Sequence, residues 1–337
     1  MKSNFKLKTV FNFFVFILLI GLTYYLIFRN QDINQLREVL HGCNKLYLLL
    51  GLYLMFCYFY MEAFNVKKIL KSLGENITIT QALKYTFIGY FFSSITPAAS
   101  GGQPVEIYYM NKENVKGTNA TLALLIHLCS FQIVTILLGI ICAIINYDML
   151  KDGFIYLFIV GVSLNFIALT LMMVCIFSTR LCEIVINFIF KIFKFFKMKD
   201  TDEKKKHILS SLDKYHESSI FIKEHKIEFV KSILRVMIQV MFYFAVPFFV
   251  YKSFGLMEYS MLKMFAIQSI LFISVSSIPL PGAIGVSETA FLNIYKSIYG
   301  ETLLGGAMLL SRFISFYIFV FISLIVVIVN MIKHQIK

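Results

Sequence analysis

Long apolar runs are the feature that most constrains the fold of this chain. An α-helix rises about 1.5 Å per residue, so ~20 consecutive apolar residues cross the ~30 Å hydrocarbon layer of a membrane. Six such runs occur, at 10–28, 46–64, 119–146, 154–178, 232–251 and 304–330. A soluble protein could not cover so much apolar surface, so we predict an all-α integral membrane protein.

The positive charge of the chain is concentrated in one segment. The 337 residues are 58% hydrophobic and 15% charged, with a mean hydropathy of +0.76 and a formal net charge of +13. Twelve Lys and Arg residues lie in a single polar connector, 180–231. Cytoplasmic loops of membrane proteins carry an excess of Lys and Arg, so we expect a multi-pass cell-membrane protein with this connector in the cytoplasm and no nucleic-acid partner.

The same connector divides the chain into two membrane halves. We interpret 1–179 as the first half, 180–231 as a basic amphipathic connector and 232–337 as the second half. Within the connector, 184–198 places Lys and Asn on one helical face and Phe and Ile on the other. That pattern indicates a helix that lies on the membrane surface.

A motif rich in Pro and Gly occurs once in each half, at 93–106 and 276–288. In each copy a proline is followed nine residues later by a glutamate, Pro97 by Glu106 and Pro279 by Glu288. Proline removes a backbone donor and glycine permits otherwise forbidden dihedrals, so each motif should break a helix. Two broken helices in corresponding halves are typical of a transporter's substrate site. The alternative is that both motifs are ordinary loops between spans.

The distribution of charge predicts how the broken helices are oriented. If the first motif forms a hairpin entering from the cytoplasm and the second a hairpin entering from outside, 23 Lys and Arg are cytoplasmic and seven are outside. Two further apolar stretches, 81–97 and 259–278, lead into the motifs. Treating these and the six runs as eight full spans would give a much poorer separation of charge. We therefore predict about six full transmembrane helices plus two Pro/Gly-broken re-entrant helical hairpins, arranged as a pseudo-repeat of eight apolar segments.

Three stretches of the sequence resemble a known family. Residues 96–109 (TPAASGGQPVEIYY), 279–288 (PLPGAIGVSE) and 311–317 (SRFISFY) are similar to the lysylphosphatidylglycerol synthase transmembrane family, the flippase-like membrane domain of multiple peptide resistance factors. The resemblance implies a lipid translocase that moves lysyl-phosphatidylglycerol or a related phospholipid between leaflets, and a role in antimicrobial peptide resistance. The sequence departs from the family pattern at Ser311, where an aromatic residue, commonly Trp, is expected.

The resemblance also implies which residues contact the lipid. The substrate-binding candidates in the matching motifs are Gly101, Gly102, Gln103, Pro104, Glu106, Tyr109, Pro281, Gly282, Gly285, Glu288 and Arg312. Family members with both parts carry a lysyl-transferase domain after the membrane domain, whereas this chain ends at Lys337. We therefore expect no enzyme activity.

Charged and amide side chains within the apolar segments need partners, because an unpaired charge in a membrane costs ~2.5–3.5 kcal/mol on insertion scales. Glu288 and Arg312 could form a structural pair, or Arg312 could bind a lipid phosphate. Glu106 lies nearer water and could pair with Lys112 or contact a headgroup. The other polar residues in these segments are Glu62, Arg235, Gln132, Gln239 and Gln268, and we expect the three glutamines to form interhelical hydrogen bonds.

The sequence contains no pattern typical of an enzyme. It has no phosphate-binding Gly-rich loop, nucleophile elbow or paired-His zinc motif, and none of its six cysteines forms a CxxC pair. We expect neither a metal nor a cofactor, and membrane phospholipids as partners. An alternative function is an accessory membrane subunit that presents lipid or a polyprenyl-linked substrate to a separate synthase or glycosyltransferase without translocating it. Homo-oligomerisation is left open.

Overall fold

A computed structural model describes residues 40–150, 154–177 and 226–335, with isolated positions at 14, 17, 18, 21, 25, 38 and 184. Within those ranges every regular element is helical and no strand occurs, which confirms the predicted all-α class. Most of the predicted first span at 10–28, and nearly all of the surface helix at 184–198, lie outside the described residues.

Ten α-helices make up the described ranges. In chain order they are α1 (Lys45–Ser72), α2 (Ile79–Ser94), α3 (Gly102–Lys112), α4 (Gly117–Ile145), α5 (Phe154–Phe177), α6 (Lys226–Ser253), α7 (Met261–Val275), α8 (Val286–Ile294), α9 (Lys296–Arg312) and α10 (Ile318–Gln335). Short 3₁₀ turns lie at Pro97–Ala99, Tyr147–Leu150 and Pro281–Ala283, and a π-helical turn at Phe313–Tyr317 joins α9 to α10.

Five stretches are long and apolar enough to cross a membrane. They are α1, α4, most of α5, α6 and the continuous run from Lys296 to Ile332. These match the predicted spans at 46–64, 119–146, 154–178, 232–251 and 304–330. The helix α6 already covers Lys226, so it extends six residues into the segment interpreted as connector.

The first Pro/Gly motif folds as a re-entrant hairpin. Its legs, α2 and α3, have 16 and 11 residues, and at about 1.5 Å per residue the longer spans only ~24 Å. At their outer ends Lys84 forms an ion pair with Glu113, and the Tyr85 hydroxyl donates to Glu113 at 2.6 Å. The start of α2 and the end of α3 therefore lie together, so the chain enters and leaves this hairpin at the same end of the molecule.

The second motif forms the equivalent hairpin from α7 and α8, which have 15 and nine residues. The Tyr295 hydroxyl, directly after α8, donates to Gln268 of α7 at 3.2 Å. Tyr295 and Met264 also share one buried apolar cluster. The start of α7 and the end of α8 therefore also lie together, and the chain enters and leaves this hairpin at one end.

The two hairpins enter from opposite ends, as the charge distribution predicted. Asn119 at the start of α4 donates to the Leu73 carbonyl after α1 at 3.4 Å, beside the open end of the first hairpin. At the other end Asn44 donates to the Ser253 carbonyl at 2.8 Å, and Lys263 to Asn146 at 2.9 Å. The 3₁₀ turns of the two breaks contact each other. We call the end at which the first hairpin opens the basic end, because eight lysines lie there: Lys67, Lys68, Lys71, Lys84, Lys112, Lys116, Lys226 and Lys231.

The register between the two breaks differs from the one inferred from sequence. Both 3₁₀ turns consist of a proline, a small residue and an alanine with positive φ, 53° at Ala99 and 50° at Ala283. Pro97 therefore corresponds to Pro281 and not to Pro279. The predicted equivalence of Glu106 and Glu288 is wrong, because Glu106 lies nine residues after its turn proline and Glu288 only seven.

Candidate functional site

A cavity lies where the two breaks meet, in the interior of the helix bundle. It has a volume of about 270 Å³, and its wall includes Ala99 of the first break and Gly282 of the second. Hydroxyl groups are frequent in the lining and come from both hairpins and from the helices around them: Tyr58, Tyr90, Ser93, Ser94, Tyr243, Ser276, Ser287, Ser311 and Ser315. The cavity therefore carries many hydroxyl groups, although most of its lining surface is apolar.

One charged side chain, Arg312, lines this cavity. Its Nε donates to Glu288 Oε1 at 2.7 Å, and its Nη2 donates to the Gly282 carbonyl at 3.1 Å. Glu288 is fully buried and the Arg312 side chain is 12% exposed. The Glu288–Arg312 pair, one of the two arrangements expected from sequence, is thus present, and it attaches the end of α9 to the second break.

The Glu288 carboxylate is held by more than the arginine. The Gly285 amide donates to its Oε2 at 2.7 Å, and Ser287 Oγ lies 2.9 Å from the same oxygen. Glu288 is also in the first turn of α8, where the positive end of the helix dipole stabilises a carboxylate. The carboxylate therefore has little capacity left to bind anything else.

The guanidinium keeps one nitrogen available. No described residue accepts a hydrogen bond from Arg312 Nη1, whereas Nε and Nη2 are both used. The guanidinium also lies 4.5 Å from the centre of the Phe316 ring, a cation–π contact that fixes its plane. The π-helical turn that starts at Phe313 brings Phe316 to this position.

Ser311 is the residue at which the sequence departs from the family pattern. Its hydroxyl is buried, lines the cavity and has no hydrogen-bond partner among the described residues. A small side chain here leaves space beside Arg312 that an aromatic ring would occupy. The result is an unpaired donor facing the cavity, next to the guanidinium.

The structure does not bring all the candidate residues together. Gly282 and Arg312 line the cavity. Pro281, Gly285 and Glu288 do not line it: Pro281 is in the same turn as Gly282, and the Gly285 amide donates to Glu288. The first-motif candidates are absent from the lining: Gly101, Gly102, Gln103, Pro104, Glu106 and Tyr109. Direct lipid contact by these six stays a prediction.

Glu106 is not the solvated residue that its position suggested. It is 7% exposed, and its carboxyl packs directly on α2, where a Cβ added to Gly89 would lie 1.8 Å from Glu106 Oε1. Gly102 has a matching role, since its own added Cβ would lie 2.7 Å from the Gly89 carbonyl. Glycines at 89 and 102 allow α2 and α3 to pack so closely that Glu106 is enclosed, which the sequence spacing could not show.

A second polar cluster, near the basic end, was only partly foreseen. Arg235 donates to Glu228 at 2.5 Å and to Asn65 at 2.8 Å, and the Asn65 amide contacts His127 Nδ1 and Ser232 at 3.0 Å each. Arg235 was expected to need a partner, but Asn65 and His127 were not singled out. The available signal was Glu228, Ser232 and Arg235 at one-turn spacing on α6. These hydrogen bonds join α1, α4 and α6. Because the charges within the cluster are paired, we assign it a structural role.

The three glutamines form the interhelical hydrogen bonds predicted for them. Gln132 of α4 donates to Asn165 of α5 at 2.6 Å, and Gln239 of α6 donates to Glu62 of α1 at 3.1 Å. Gln268 accepts the bond from Tyr295 described above. Asn165 in turn donates to the Ile273 carbonyl at 3.2 Å, so α5 supports the end of α7 just before the second break.

Fold and site together define a polytopic helical membrane protein with two inverted re-entrant hairpins around a central cavity that contains hydroxyl groups and one arginine. The chain belongs to the family described as the lysylphosphatidylglycerol synthase TM region, whose model matches residues 10–323. It is also similar to a UPF0104 membrane protein of Archaeoglobus fulgidus. The two share 22% identity over 318 residues, which cover 92% of this chain and 94% of that protein.

Proposed function

We propose that this protein is a lipid translocase that moves lysyl-phosphatidylglycerol or a related phospholipid between the leaflets of the cell membrane. The observation that carries the proposal is the hydroxyl-lined cavity at the contact of the two breaks, with the Arg312 guanidinium in its wall. Membership of the lysylphosphatidylglycerol synthase TM region family supports a phospholipid as the substrate class. In this proposal the chain performs no covalent chemistry on the lipid.

The chemistry of the cavity suits a lipid phosphate. Guanidinium groups and hydroxyls are strong donors to phosphate oxygens, and Arg312 Nη1 and Ser311 Oγ have no other described partner. The helices α3 and α8 also begin directly after the breaks, so the positive ends of both helix dipoles are near the cavity. These groups would replace the water that a headgroup loses when it enters the membrane.

The size of the cavity suggests how much of the lipid enters. Its volume of about 270 Å³ is just below the ~300–1,000 Å³ typical of small-molecule pockets, so it fits a headgroup and not a whole phospholipid. We infer that the acyl chains stay in the surrounding bilayer while the headgroup passes between the hairpin tips.

The basic end would face the cytoplasm. Lys67, Lys68 and Lys71 lie in the last turns of α1 at that end, Lys112 ends α3, and Lys116 directly precedes α4. The excess of Lys and Arg on cytoplasmic loops supports this orientation, which also places the connector 180–231 in the cytoplasm. A separate lipid-modifying enzyme acting at that surface would be a natural partner.

Lipids retained by the purified protein test the proposed site. We expect native mass spectrometry to detect an anionic phospholipid on the unmodified protein, and to find it lost from the double variant Arg312→Gln/Glu288→Gln, which keeps the interior neutral. The matched control is Lys296→Gln/Glu301→Gln, which removes an exposed ion pair of 3.2 Å at the other end. Equal lipid retention by all three proteins would contradict the site.

A further inference from the structure

Two carboxylates lie close to each other within the helix bundle, apart from the Glu288–Arg312 pair. Glu62 is on α1, which packs against α2, and the carboxyl of Glu106 on α3 lies directly against Gly89 of the same α2. The two carboxylates interact electrostatically. Glu106 is buried at 7% exposure, and Glu62 is partly buried. Neither residue is used by the phosphate site described above.

No cation compensates these two carboxylates within the described ranges. Neither takes part in an ion pair there, and the nearest arginines are already committed, Arg312 to Glu288 and Arg235 to Glu228. The polar groups that face the pair from the elements packed around it are neutral. They are Tyr58 of α1, Tyr90 of α2, and Gln239 and Tyr243 of α6.

A second observation indicates what occupies the site. Gln239 is fully buried, and its Nε2 donates to Glu62 Oε2 at 3.1 Å, so its amide group is held against the carboxyl. The other atom of that amide, Gln239 Oε1, is buried without any hydrogen-bond donor among the described residues. An acceptor left without a donor beside a carboxylate is satisfied if the carboxyl carries a proton, because the acid O–H is a donor.

Two unprotonated carboxylates in this place would be unfavourable in two ways. Each charge would be removed from water, and the two like charges would repel each other in a medium of low dielectric constant. Addition of one proton turns a carboxylate into a neutral acid, removes the repulsion and supplies the missing donor. The arrangement therefore matches a proton better than a divalent cation such as Ca²⁺, which takes about 6–8 oxygen ligands.

We propose that Glu62 and Glu106 form a proton-binding site that couples lipid translocation to a pH gradient. Tyr58 and Tyr90 link this site to the cavity, since both line the cavity and both interact electrostatically with Glu62. Tyr90 also interacts with Arg312, so it connects the carboxylates with the phosphate-binding side chain. The coupling rests on the proposed function, whereas proton binding does not.

Infrared difference spectroscopy of the purified protein in lipid tests the proton site without any transport. As pH is raised through the neutral range at constant Na⁺, the unmodified protein should lose a protonated-carboxyl C=O band. The nearly isosteric variants Glu62→Gln and Glu106→Gln should each lack or shift that band. The exposed control Glu301→Gln should keep it.

Three outcomes would overturn the proton site. The first is that the unmodified protein shows no such band. The second is that all variants keep the band unchanged, and the third is that the band responds to Na⁺ at constant pH. The first outcome is independent of whether a variant folds.

Proteoliposomes test the coupling. An imposed pH gradient should change the leaflet-exchange rate of fluorescent phosphatidylglycerol severalfold for the unmodified protein and for Glu301→Gln, but not for Glu62→Gln or Glu106→Gln. The same gradient response in all four proteins would overturn the coupling. If none exchanges lipid under any condition, the proposed translocase function fails, and the infrared result still decides the proton site.

Discussion

At the scale of single residues, the two arginines described in the interior of this protein each form an ion pair with a glutamate. Arg312 and Glu288 compensate each other across the second break, and Arg235 and Glu228 do so near the basic end. The first pair could be predicted from sequence, because it joins the two opposite charges most deeply embedded in apolar segments. The burial of Glu106 could not, because it depends on the close contact of α2 and α3 at Gly89 and Gly102.

The Glu288–Arg312 pair predicts a pattern of stability. Either Glu288→Gln or Arg312→Gln leaves one buried charge without compensation, and we expect each to lower stability by ~3–5 kcal/mol. The double variant should recover much of that loss, because it removes both charges. Thermal unfolding in detergent measures the three variants against the unmodified protein. Additive losses in the double variant would show that the pair is not a coupled structural unit.

At the scale of elements, the breaks explain which parts of the fold were predictable. Apolar length locates the long spans, and Pro/Gly content locates the breaks, since both are local properties of the sequence. The register of the second break could not be read from the local sequence. Pro279 and Pro281 are equally able to start a turn, and the position was decided by packing of Gly282 on Phe316. The π-helical turn at Phe313–Tyr317, which begins directly after Arg312, had no sequence signal.

Gly282 provides the test of that packing. It has φ of 58°, and a Cβ there would lie 2.4 Å from the Phe316 ring. Gly282→Ala should therefore cost ~1–3 kcal/mol from backbone strain and additional stability from displacement of the ring. Gly74→Ala is the matched control, because this glycine after α1 also has a positive φ, 82°, but nothing lies within 4 Å of the added Cβ. Thermal unfolding should show a larger loss at 282, and equal losses would argue against the ring contact.

At the scale of the whole molecule, the inverted hairpins predict two separate faces. Lys71, Lys116 and Gln335 belong to the basic end, and Glu258 and Glu301 to the other. Single cysteines at these positions, in a chain without its six native cysteines, should react with a membrane-impermeant thiol reagent from opposite sides of the membrane. Labelling of positions 116 and 258 from the same side would contradict the inverted arrangement.

The central claim is that the cavity between the hairpin tips carries lipid headgroups across the membrane. Its most direct test is the rate of leaflet exchange of fluorescent phosphatidylglycerol in proteoliposomes. The unmodified protein and the exposed-pair control Lys296→Gln/Glu301→Gln should exchange the lipid. We expect Arg312→Gln/Glu288→Gln to be ~10- to 100-fold slower, in line with the loss of one or two charge-assisted hydrogen bonds of about 1.5–3 kcal/mol in total. Equal rates in all three would contradict the claim. Absence of exchange by the unmodified protein would favour an accessory subunit that presents lipid to another enzyme.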